Sequence, residues 1–224
     1  MEQEIFSAIS AGDIAKVKEL IAQHPGAAHA RNQAGVSGLM QARYENKMEM
    51  VDLLRKAAGD LDVFEAAALG DVARLRTLLA NDPCQVNAPS GDGFTPLHLS
   101  CFFSQPEAAE LLVQHGADAN AVSPSRIAVI HSAAASRSAA MVKLVLQAGA
   151  HPNLQQQGGY TALHEAAMHN SAERARALLE AGADPSIRSD DGLTAAEMAA
   201  QKGNRDVLEV LERPVSSFKF QAQS

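Results

Sequence analysis

The run His164-Glu165-Ala166-Ala167-Met168-His169 is the part of this sequence that comes nearest to a reaction centre. A helical zinc-protease site needs two histidines four residues apart, so that both face one metal. Here they are five apart, which puts them about 140° apart around a helix. Glycine pairs stand at Gly91-Asp92-Gly93 and Gly158-Gly159, without the third glycine or the Lys-Ser/Thr pair of a phosphate loop. They are expected to be hairpin turns. Of the two cysteines, Cys101 occupies an alanine-like helix position and Cys84 follows Pro83 in a loop. A nucleophilic cysteine needs a nearby base or an electropositive surrounding, and the sequence offers neither. No catalytic residue, metal or cofactor is therefore expected, and the chain is not read as an enzyme.

Composition limits the alternatives. The chain has 224 residues, 46% hydrophobic, with 4% aromatics and no tryptophan. Its apolar content is mostly alanine and leucine, which favours many closely packed helices over a sandwich or barrel. The net charge of −7 opposes nucleic acid and anionic membrane surfaces, so neither is expected as a partner. No uncharged apolar run approaches the ~18 residues of a spanning helix. The start, Met1-Glu2-Gln3-Glu4, is acidic and unlike a signal peptide. Two cysteines cannot build a disulfide framework, so a reducing cytoplasm is the expected location.

The elements that would position any site come from an internal repeat. Thr95-Pro96-Leu97-His98, Ala128-Val129-Ile130-His131, Thr161-Ala162-Leu163-His164 and Thr194-Ala195-Ala196-Glu197 follow one another in steps of 33 residues. Gly116-Ala117-Asp118, Gly149-Ala150-His151 and Gly182-Ala183-Asp184 keep the same step. Earlier anchors are Ile5, Leu39 and Val63, giving steps of 34, 24 and 34 before the regular series. Within residues 161–182, Thr161 is an N-cap and Leu163, Ala166 and Ala167 form one stripe; Ala175, Leu178 and Leu179 form a second, closed by Gly182. Each unit is thus helix, turn, helix.

These residues carry a resemblance. The 33-residue period, the Gly-Phe-Thr-Pro-Leu-His and Gly-Tyr-Thr-Ala-Leu-His starts and the Gly-Ala-Asp ends resemble the ankyrin repeat, over about residues 4–212 and most specifically over 91–212. The resemblance implies an all-α solenoid of antiparallel helix pairs with outward hairpin fingers. About seven units are expected, near 4–36, 37–61, 62–94, 95–127, 128–160, 161–193 and 194–213, as one domain over 1–213 with a tail at 214–224. The step of 24 leaves no room for a finger near 57–62, so a missing finger and a local change in stacking are expected there. It also implies that His98, His131 and His164 bond locally and fix the turn. Helices stacked ~8–10 Å apart cannot place these three on one metal at ~2 Å.

In such a solenoid the variable surface lies at the finger tips and the ends of the first helices. The slots singled out here are Tyr44, Leu69, Asp92, Phe94, Phe102, Phe103, Tyr160, Met168 and His169. Five of the nine aromatics fall in them. Phe6 and Phe64 take the histidine slot and are expected in the core, and Phe218 and Phe220 lie in the tail. Aromatics in such slots suit a hot spot for a protein partner. The expected function is non-catalytic protein recognition by a monomer, as an adaptor or an inhibitor. The alternatives are a small ligand held around Phe102 and Phe103, self-assembly through the same rings, or rings that merely pack between repeats.

Overall fold

A computed structural model of the chain describes residues 2–212. The tail read at 214–224 lies outside the described residues. Among the described residues fourteen α-helices follow in sequence: α1 (Glu2–Ala11), α2 (Ile14–Gln23), α3 (Gly38–Tyr44), α4 (Met48–Ala58), α5 (Val63–Leu69), α6 (Val72–Asn81), α7 (Pro96–Phe102), α8 (Pro106–Gln114), α9 (Val129–Ala135), α10 (Ala139–Gln147), α11 (Ala162–Met168), α12 (Ala172–Glu180), α13 (Ala195–Lys202) and α14 (Arg205–Leu211). Odd-numbered helices stack on one another as an inner layer, and even-numbered helices form the outer layer. The core is the seam between them. Leu97, Ile130 and Leu163 are buried at the start of successive inner helices, and Leu112, Val145 and Leu178 answer from the outer ones.

Inner helices begin where a capping residue says they should. The Thr95 amide donates to His98 Nδ1 at 3.2 Å, Ala128 to His131 Nδ1 at 3.0 Å and Thr161 to His164 Nδ1 at 3.1 Å. With Nδ1 accepting, Nε2 carries the proton and donates to the chain ahead: Ile127 O at 3.1 Å, Leu154 O at 2.9 Å and Leu193 O at 3.0 Å. Each histidine thus closes its own cap and ties it to the next finger. In α13, Glu197 does the capping, accepting from the Thr194 amide at 2.8 Å.

A second ladder runs along the outer edge. Asn87 Nδ2 donates to Gly116 O at 3.0 Å while its Oδ1 accepts from the Asp118 amide at 2.8 Å. Asn120 does the same with Gly149 and His151, and Asn153 with Gly182 and Asp184. Each asparagine satisfies a helix-end carbonyl of the following unit, which would otherwise lack a partner.

Fingers precede α3, α7, α9, α11 and α13, and none precedes α5. Between Ala58 and Val63 only four residues connect the helices, with Gly59 at a positive φ of 73° that favours glycine. Polar braces hold this joint: Arg31 pairs with Asp62 at 2.5 Å, Arg55 with Asp71 at 2.8 Å, and Arg74 Nε donates to Leu61 O at 2.8 Å. Inner-layer stacking is thinnest between α3 and α5. One expectation is corrected. Phe64 does not do the histidine's work, and it is half-buried rather than fully in the core. Here α5 starts one residue late on Asp62, so Glu65 closes the capping box, accepting from the Asp62 amide at 3.1 Å and from the Ser37 hydroxyl at 2.6 Å.

Candidate functional site

The missing finger changes what meets on the inner face. The finger before α3 abuts the finger before α7 directly. A methyl group on Gly91 would stand 2.1 Å from Ala34 O, and one on Gly35 would stand 3.0 Å from Gly91 Cα. Tyr44, at the end of α3, passes over the shortened unit and donates its hydroxyl to Asp92 Oδ2 at 2.9 Å. Burial and the Asp92 carboxylate together hold the Tyr44 phenol well above its usual range, so it stays a donor.

Around this bond the rings gather. Tyr44 lies 5.4 Å from Phe103 and 6.4 Å from Phe102, centroid to centroid. Phe102 meets Phe103 edge-on at 5.0 Å. The Arg43 guanidinium covers the Phe103 ring at 4.5 Å, a cation–π contact. Phe102 is left 44% exposed, whereas Tyr44, Phe94 and Phe103 are half-buried. Helix geometry places it there: Phe102 is the last residue of α7, past the buried run Pro96–Cys101.

Beside the rings opens a groove of about 220 Å³. Tyr44, Phe94 and Phe102 line it on the side of the early units, Ile127, His131 and Ala135 in the middle, and Gln156 and Glu165 on the side of α11. Its wall is overwhelmingly apolar, and Glu165 is the charged residue in its lining. Glu165 Oε1 accepts from Gln156 Nε2 at 3.2 Å, and Oε2 lies 3.6 Å from His169 Nε2.

Of the nine residues singled out in the sequence, Tyr44, Phe94 and Phe102 line the groove. Asp92 and Phe103 join them through the hydrogen bond and the ring contacts, and His169 reaches the groove through Glu165. Leu69, Tyr160 and Met168 do not line it. Tyr160, just ahead of α11, instead donates to Asp191 Oδ2 at 2.9 Å, in the finger ahead of α13. Sequence reasoning passed over Glu165 and Gln156. The signal for Glu165 was present: one and two periods earlier, its slot holds Ser132 and Leu99.

The groove has no nucleophile poised by a base. His98 and His131 have both ring nitrogens committed to the backbone, and burial holds the His98 imidazole down to about 4. Cys101 is fully buried, its thiol pushed up to about 12 by burial, and Cys84 is exposed away from the groove. Among the described residues no cluster of three or more metal-ligating side chains occurs, and no helix is long and apolar enough to cross a membrane.

Comparison with known proteins agrees with this architecture. The family model described as ankyrin repeats (3 copies) matches residues 5–123 and again 130–216. Alpha-latrocrustotoxin-Lt1a of Latrodectus tredecimguttatus is 31% identical over 88 residues, covering 36% of this chain and 6% of its own length. Ankyrin repeat and SAM domain-containing protein 6 of Rattus norvegicus is 37% identical over 59 residues, covering 26% of this chain and 7% of its own. The chain spans less than a tenth of the length of these curated relatives.

Proposed function

The chain belongs to the ankyrin repeat family, and on that basis we propose that it recognises a protein partner through the inner face around Tyr44, Phe94 and Phe102, without catalysing a reaction. Ankyrin repeats are in general protein–protein interaction modules. The observation that carries the reading is the exposed Phe102 ring standing on a braced aromatic cluster at the mouth of an apolar groove. A large ring held rigid by its neighbours loses little entropy on binding, which is what a hot-spot residue needs. A monomer that acts as an adaptor or an inhibitor in the cytoplasm fits this reading.

The test is a partner-binding titration with Phe102→Ala and Phe94→Ala. Each variant should keep the helical circular dichroism and lose about tenfold or more in affinity, the penalty for truncating a buried ring. Unchanged affinity in both would place the interface elsewhere. The concavity of the groove is the ground for a second reading, a small ligand held around Phe102 and Phe103; a thermal-shift screen in which micromolar metabolites raise the melting temperature would support it.

A further inference from the structure

Glu165 poses a problem that the chain does not solve by itself. Its side chain is 15% exposed and faces an apolar groove. No lysine or arginine nitrogen lies within 4 Å of it among the described residues; its contacts are the Gln156 amide and the ring of His169 at 3.6 Å. The charge of the buried Arg174 acts on Glu165 through space, but its Nη1 donates to Ala134 O and no ion pair within 4 Å forms between the two. A carboxylate has about four lone-pair sites, so Glu165 keeps acceptor capacity to spare. Capping the groove with a purely apolar group would strip water from that charge with nothing in exchange, which is costly.

The groove is also smaller than a site for a drug-sized molecule, which runs to roughly 300–1,000 Å³. At about 220 Å³ it is nearer to one long side chain. Its two ends differ in kind. The inner helices stack in the order α3, α5, α7, α9, α11, so aromatic faces stand at one end and the carboxylate with Gln156 at the other. A side chain with an apolar stem and a cationic head matches both.

We infer that the groove receives a lysine or arginine side chain from an extended segment of the protein partner. The stem packs along Phe94, Phe102 and Ile127, and the head pairs with Glu165. This rests on the inner face being the recognition surface and adds what that surface selects. Charge-assisted bonds in a partly desolvated groove are the strong kind, so selectivity for the basic residue is expected to be at least about tenfold.

The experiment is selection of phage-displayed random dodecapeptides on the full chain, on Glu165→Gln and on Phe102→Ala. Gln keeps the shape and the bond to Gln156 while removing the charge, and thermal unfolding confirms that each variant folds. Selected peptides are then synthesised with lysine or arginine replaced by norleucine at the enriched position. Support is one basic position enriched on the wild type, a drop of about tenfold or more with norleucine, and loss of that discrimination on Glu165→Gln while peptide binding persists. Peptides that bind and lose affinity on Phe102→Ala, yet show no basic preference or keep it on Glu165→Gln, overturn this inference and leave the recognition surface standing. Peptides indifferent to Phe102→Ala, or none selected on any form, overturn both.

Discussion

The Tyr44 hydroxyl donates to Asp92 Oδ2 at 2.9 Å, joining the end of α3 to a finger 48 residues later, across a unit that has no finger of its own. The bond is half-buried and its acceptor is charged. Tyr44→Phe keeps the ring contacts to Phe102 and Phe103 and removes only this bond. Urea denaturation should show a loss of about 1–2 kcal/mol. Combined with Asp92→Ala, the double variant should cost clearly less than the sum of the singles.

The abutting fingers give a sharper test. Gly91→Ala would place a methyl group 2.1 Å from the Ala34 carbonyl oxygen, a backbone atom that cannot swing aside. The expected loss is about 2–3 kcal/mol. Gly26→Ala meets nothing within 4 Å and should change the unfolding midpoint little.

Arg174 is fully buried at a slot that holds Met141 one period earlier. Its Nε has no partner, although Nη1 reaches the Ala134 carbonyl at the end of α9. Arg174→Met fills the same space without an orphaned donor and should be neutral or stabilising by about 1 kcal/mol. Arg174→Ala opens a cavity and should cost about 2–4 kcal/mol. Thermal melts of the two variants separate packing from charge.

Acid should weaken the solenoid through its histidines. Burial lowers all three imidazoles, His98 to about 4. Each is neutral when folded and titrates near ~6.5 when unfolded, so the stability it confers is complete above ~6.5 and falls as pH drops towards 4. His98 alone should account for about 2–3 kcal/mol between pH 7 and 4.5. Glu65, raised by burial, acts in the opposite sense, since its protonation favours the folded chain. Urea midpoints measured from pH 7.5 to 4.5 should fall, and His98→Gln should flatten the slope.

The turn between α9 and α10 carries Arg137 at φ 61°, where the first, third and last units use Gly12, Gly70 and Gly203. A left-handed residue with a side chain is strained. Arg137→Gly should stabilise by about 0.5–1 kcal/mol in thermal unfolding.

How far the sequence foretold this molecule depends on the range of the interaction. The Thr95–His98 and Thr161–His164 caps were legible because they close within three residues and recur every 33. The missing finger was legible as a step of 24 between Leu39 and Val63. The asparagine ladder at 87, 120 and 153 has the same period, but a polar residue between helices gives no hydrophobic stripe to mark it. The displacement of capping from Phe64 to Glu65 was hidden, since α5 is one residue short at its start while its far end keeps register. The Tyr44–Asp92 bond could not be read at all: it depends on which fingers meet once one is gone. Arg174 and Glu165 were visible only as departures from the residues one period earlier.

A regular solenoid can be treated as a row of dominoes in which each tile feels only the next, and its melting follows from the sum of such terms. The contact of Gly35 with Gly91 skips a tile. The units carrying α3, α5 and α7 therefore share one fate, so a probe on Tyr44 and one on Phe94 should report the same melting temperature.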